Sequence, residues 1–182
     1  MLTVLLALVA TSARAEGPRG LSFGAAVGGG VLSQNSCAQD TCTQRSFGRI
    51  SAPNLRIGYR FSQRLALELH ISGGVHTDNG DQRAFDALLA SVKWWPYKRW
   101  WLSLGTGIGE ELPPAFSGSG PVYMGAGTML ATGLEVYSRS SLVVDIHARA
   151  TTGRLGIDPT ATRENLALDG LIGLTWYPYA SQ

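Results

Sequence analysis

The segment LLASVKWWPYKRWWLSLGTGIG, residues 88 to 109, constrains this chain more than any other. In an extended backbone Leu88, Ala90, Val92 and Trp94 share one face. After the turn Pro96-Tyr97-Lys98-Arg99, Trp100, Leu102, Leu104 and Ile108 share one face, with Ser103, Gly105, Gly107 and Gly109 opposite. An apolar period of two marks β-strands, so the segment is a hairpin. Trp94 and Trp95 precede the turn, and Trp100 and Trp101 follow it. Indoles massed at one end of an apolar face suit a membrane–water boundary, where one edge of the ring is wet and the other dry.

The same alternation runs along the chain. Strands are expected from about Leu21 to Val31, over Leu55–Phe61, over Leu65–Ile71, through the hairpin, from about Val122 to Tyr137, over Leu142–Ala148 and over Leu166–Trp176. Pro53 requires an edge or a bulge near the start of the second. Short turns fall at 62–64, 96–99 and 138–141. Between them lie four polar stretches read as long loops: the cysteine segment to about Gly48, GGVHTDNGDQRA, EELPPAFSGSG and TTGRLGIDPTATR. Short turns alternating strictly with long loops give an all-β fold, an eight-stranded antiparallel up-and-down transmembrane β-barrel. The aromatic girdle at the short-turn end is assigned to Trp94, Trp95, Trp100, Trp101, Trp176, Tyr177 and Tyr179, and the thin outer girdle to Phe23, Phe85 and Tyr123.

With 182 residues the chain has room for one domain. Leu2–Ala10 is apolar, and Ala13-Arg14-Ala15 offers small residues for cleavage. Residues 1–15 therefore read as a signal peptide and 16–182 as the barrel domain. A net charge of +2 with sparse charges argues against a nucleic-acid partner. Cys37 and Cys42 lie in one polar stretch, and export to an oxidising compartment makes a disulfide the expectation. Neither a metal nor a cofactor is expected.

Two arguments place the apolar face toward lipid. The opposite face is rich in Gly, Ala and Ser, as a narrow barrel interior requires. The strand charges also fall on that face: Arg56, Arg60, Lys93 and Arg149 against Glu68, Glu135, Asp145 and Asp169. Balanced signs fit buried pairing. The expected interior network comprises these eight residues with His70 and His147, and hairpin register sets Glu68 between Arg56 and Arg60. Glu135, Asp145 and His147 are close enough in register to raise a metal site, but ion pairing is the simpler reading. The alternative is a soluble lipocalin-like binding protein with the apolar face inside. A faint internal repeat pairs Leu65-Ala-Leu-Glu-Leu-His70 with Leu142-Val-Val-Asp-Ile-His147.

The strand plan, the Gly-rich strands and the run Leu55-Arg-Ile-Gly-Tyr-Arg-Phe61 resemble the small OmpA/OmpX-type outer-membrane β-barrels over nearly the whole mature length. The resemblance implies the outer membrane of a Gram-negative bacterium. It also implies contact with outer-membrane lipids and lipopolysaccharide, and an assembly machinery that reads the last strand. Here Tyr179 is followed by Ala180-Ser181-Gln182, where such chains usually end on an aromatic residue. The implied role is non-enzymatic: envelope integrity, adhesion or ligand contact through the loops, with no motif naming the loop ligand. His70-Ile71-Ser72 carries the enzymatic alternative, because small outer-membrane lipid A deacylases use a His-x-Ser pair. Gly73 stands where that resemblance wants Asn, and the pair falls on the inward face. His76 lies in a polar stretch and is expected to be solvated.

Overall fold

A computed structural model describes residues 18–38, 41–78, 80–113, 122–139, 141–158 and 161–179. The expected signal peptide lies outside the described residues. The strands are β1 (Gly20–Ala38), β2 (Thr41–Ser62), β3 (Leu65–Ser72), β4 (Val75–Asp78), β5 (Asp81–Trp94), β6 (Trp100–Leu112), β7 (Tyr123–Arg139), β8 (Leu142–Asp158) and β9 (Ala161–Trp176). Neighbours pair antiparallel, and β1 closes the ring on β9 from Phe23↔Trp176 to Ala38↔Ala161. β3 and β4 form one stave, interrupted at Gly73-Gly74. There the Gly73 N–H donates to Pro53 O, and the Phe85 N–H donates to Gly74 O. The result is a ring of eight staves.

The two faces of each strand are sorted as a membrane requires. Leu104, Ile172 and Leu130 point outward and are 65%, 62% and 58% exposed, while charged side chains such as Arg60, Glu68 and Asp145 are buried in the lumen. A soluble lipocalin-like barrel has the reverse arrangement, so that alternative is excluded. Several large interior side chains find room because a glycine faces them. A Cβ on Gly24 would meet Arg56, one on Gly58 would meet Glu68, one on Gly133 would meet Trp101 and His147, and one on Gly173 would meet Asp145.

Three of the stretches read as long loops are largely strand. The cysteine segment is a hairpin of β1 and β2, with Cys37 paired to Cys42 in register and joined to it by a disulfide. GGVHTDNGDQRA contains β4 and the start of β5, and TTGRLGIDPTATR contains the ends of β8 and β9. In EELPPAFSGSG, residues 110–112 finish β6, and 114–121 lie outside the described residues. Toward the hairpin tip, from Thr41 to Ser46, the residues are polar or small and exposed on both faces, so the apolar alternation stops while the backbone ladder continues. Pro53 sits beside the irregularity where β1–β2 register shifts between Ala26 and Gly28.

The girdle assignment also needs correction. Trp94, Trp100, Trp176 and Tyr179 face outward, whereas Trp95, Trp101 and Tyr177 are buried inside. Adjacent strand residues point to opposite faces, so a Trp-Trp pair cannot serve one girdle. Phe23 belongs to the short-turn end, against Trp176 with ring centroids 6.2 Å apart. Phe85 is buried in the lumen and joins no girdle.

Close backbone approach makes some glycines irreplaceable. A Cβ on Gly30 would stand 1.9 Å from the Leu168 carbonyl oxygen, while one on Gly48 meets nothing within 4 Å. Gly30→Ala should destabilise the barrel by about 1–3 kcal/mol. Gly48→Ala should change stability by less than about 0.5 kcal/mol. Urea unfolding in lipid vesicles, followed by tryptophan fluorescence, compares the two.

Candidate functional site

The lumen is filled by layers of polar side chains carried on the staves around it. Nearest the short turns, Glu135 Oε1 accepts a hydrogen bond from Trp95 Nε1 at 2.7 Å and stands 3.8 Å from Arg60 Nη1. The Arg60 guanidinium lies 3.9 Å from the Trp95 ring centre, and Lys93 Nζ lies 4.0 Å from that of Trp101. The inward aromatics thus serve as faces for cations.

The next layer holds two carboxylates, each shared between a cation and a histidine. Arg56 Nη2 donates to Asp145 Oδ2 at 2.6 Å, and His147 Nδ1 meets Asp145 Oδ1 at 2.6 Å. Arg56 also donates to Thr175 Oγ1. Lys93 Nζ lies 3.7 Å from Glu68 Oε1, and His70 Nε2 meets Glu68 Oε2 at 3.0 Å. The sequence geometry set Glu68 between Arg56 and Arg60. The structure keeps Glu68 opposite Gly58 in register but gives it Lys93 and His70 as close partners. The reason is reach: arginines on β2 extend across the narrow lumen to β7 and β8, where Glu135 and Asp145 lie in register.

Farther out, Arg149 Nη2 donates to Asp169 Oδ2 and to Ser51 Oγ, both at 2.9 Å, and Arg49 Nε lies 3.4 Å from Asp169 Oδ1. The outermost layer centres on Glu111. Its Oε1 accepts from Arg163 Nη1 at 2.6 Å and from Arg83 Nη1 at 3.4 Å. Its Oε2 accepts from Gln34 Nε2 at 3.1 Å and from Asn165 Nδ2 at 3.4 Å.

Arg49, Glu111 and His76 are functional-face residues that sequence reasoning missed. His76 is not solvated: it is buried, and its ring centre is 5.2 Å from that of Phe47. Continued parity finds two of the three. Counting by two from Ser72 reaches His76, and counting by two from Ser103 reaches Glu111. Arg49 escapes such counting because the irregularity near Pro53 shifts the face, leaving Arg49, Ser51, Asn54 and Arg56 all buried.

Ser72 is buried on the inner face, opposite Asn54 and Ala87 in register. His70, its partner in the enzymatic alternative, is held by Glu68. The pair therefore faces the lumen, away from lipid. Among the described residues no three His, Cys, Asp or Glu side chains form a group suited to a metal. Glu135 instead accepts from Trp95, and Asp145 accepts from Arg56 and is bonded to His147.

Asp145→Asn leaves Arg56 buried without its counter-charge and should cost about 3–5 kcal/mol, while the double replacement Arg56→Met with Asp145→Leu should cost less. Urea unfolding of the two variants in vesicles tests this; equal losses would mean that the pair is not electrostatically coupled.

The chain matches no protein-family model and no curated protein. Among solved structures it is similar to the Neisserial surface protein A, at 13% identity and a TM-score of 0.53, covering 88% of this chain and 98% of that one. The attachment invasion locus protein Ail of Yersinia pestis aligns at 12% identity and a TM-score of 0.47, covering 86% and 99%. The N-terminal β-barrel domain of Pseudomonas aeruginosa OprF aligns at 14% identity and a TM-score of 0.42, covering 88% and 99%. The likeness to the Neisserial protein extends over most of both chains and is a likeness of fold. This chain has the fold of the small OmpA/OmpX-like outer-membrane β-barrels.

Proposed function

We propose that this protein is a non-enzymatic barrel of the Gram-negative outer membrane, closed inside by paired charges and presenting its outer hairpins for envelope integrity, adhesion or ligand contact. One observation carries the reading: apolar side chains face outward around the ring while the ionised side chains of the strands are buried in pairs within it. Such sorting has lipid as its solvent. The outward band then contacts outer-membrane lipid and lipopolysaccharide, and the assembly machinery receives the chain through its last strand, β9. The outer hairpins β1–β2 and β8–β9 continue as ladder well past the apolar band and form the part that meets the surroundings.

A heat-dependent shift on gels of the outer-membrane fraction is the first expected result. Gln44→Cys should react with a membrane-impermeant maleimide on intact cells, and Arg139→Cys only after permeabilisation. A soluble protein, or the opposite labelling, would sink the reading.

Lipid A from cells expressing the protein should give the same mass spectrum as lipid A from cells without it. Loss of an acyl chain that Ser72→Ala abolishes would turn the reading to hydrolysis.

A further inference from the structure

A cavity of about 20 Å³ lies among Arg56, His70, Trp101, His147 and Arg149. It has room for one water-sized species. Asn54 also borders it, and no carboxylate does.

The two histidines are built alike. Each is bonded through one ring nitrogen to a carboxylate two residues earlier on its own strand, His70 to Glu68 at 3.0 Å and His147 to Asp145 at 2.6 Å. The other oxygen of each carboxylate faces a cation, Lys93 for Glu68 and Arg56 for Asp145. An ionised carboxylate can only accept, so the ring donates through the nitrogen that touches it. The second nitrogens, Nδ1 of His70 and Nε2 of His147, have no hydrogen-bond partner among the described residues. On a neutral ring that atom is a lone pair. On a protonated ring it is a donor, and the cavity is then bordered by two further positive charges.

The charges facing these rings come from the staves packed around them. β2 contributes Arg56, β3 Glu68, β5 Lys93, β7 Glu135, and β8 both Asp145 and Arg149. Asp169 on β9 balances Arg149. Together with Arg60, which faces Glu135, and Arg49, which shares Asp169 with Arg149, these groups number five cations and four carboxylates. Protonating both rings adds two further positive charges to this set. An unmatched buried charge is strongly unfavourable, and a counter-ion in the adjoining cavity removes part of that cost.

We propose that this cavity is a proton-coupled site for one small anion of halide size. With neutral rings it suits a water, which can donate to both free ring nitrogens. With protonated rings both free ring nitrogens become donors beside the Arg56 and Arg149 guanidiniums, and an anion can accept from them.

Bromide tests the site directly. Crystals of the folded barrel are soaked in sodium bromide at about pH 5 and about pH 8, below and above the ordinary histidine range. The expected result is an anomalous peak between His70 and His147 at the lower pH, absent at the higher pH and absent in His147→Gln. No peak at the lower pH overturns the proposal. So does a peak of equal height at both pH values or in the variant, which would mark an adventitious ion only. Should His147→Gln fail to fold, His70→Gln replaces it, and the wild-type pair of soaks still decides. Folding and membrane location are read separately by the heat-dependent gel shift, so loss of the anion site would leave the membrane reading standing.

Discussion

The structure depends on burying ionised side chains inside the barrel. Each such charge is costly alone and must meet an opposite charge at bonding distance. In an eight-stave ring the pairing partner is often across the lumen, and the space it must cross is limited by the staves' own side chains. Glycine resolves the conflict. Gly24, Gly58, Gly133 and Gly173 each lie where a Cβ would strike Arg56, Glu68, Trp101 with His147, or Asp145. The glycine content and the charge content of the inward face are therefore linked: at these four positions a large side chain occupies space that a neighbour without a side chain leaves open.

That requirement also explains which partners are chosen. Neighbouring-strand register alone favours local pairs such as Glu68 with the arginines of β2. Arginine is long, planar and always charged, so it gains more by reaching a carboxylate with which it can form directed hydrogen bonds. Arg56 reaches Asp145 at 2.6 Å, and Glu68 is left to Lys93 at 3.7 Å and to His70 at 3.0 Å. Lysine, a flexible point charge, also settles over the Trp101 ring, which turns an inward indole into part of the electrostatic lining.

The sequence disclosed the fold wherever the two strand faces meet different solvents. Leu65–Ile71 and Leu166–Trp176 alternate because lipid lies on one side and the lumen on the other. Toward the tip of the β1–β2 hairpin, where Thr41–Ser46 are all exposed, that difference vanishes. The segment from Leu32 to Gly48 therefore reads as loop although its ladder is unbroken from Val31↔Gly48 to Cys37↔Cys42. The Trp-Trp pairs were legible as an interface marker, but only parity separates Trp94 and Trp100 at the boundary from Trp95 and Trp101 inside. The face of Arg49 was not legible, because it turns on a single irregularity in register near Pro53. Partner choice across the lumen was illegible for a different reason: it depends on side-chain reach, which strand register does not encode.

The interior is not uniform along its axis, and the difference bears on what the barrel can do. Near the short turns, indoles back the cations, and each carboxylate has a close cationic partner. At the outer end one buried carboxylate, Glu111, gathers Arg83, Arg163, Gln34 and Asn165. These four come from β5, β9, β1 and β9, and Glu111 itself from β6, so a single side chain ties together staves on opposite sides of the ring. The outer hairpins rise from those same staves. A hub placed there fixes their roots without filling their tips, so the surface offered to the outside is carried on a rigid base while its polar ends remain free to vary in sequence.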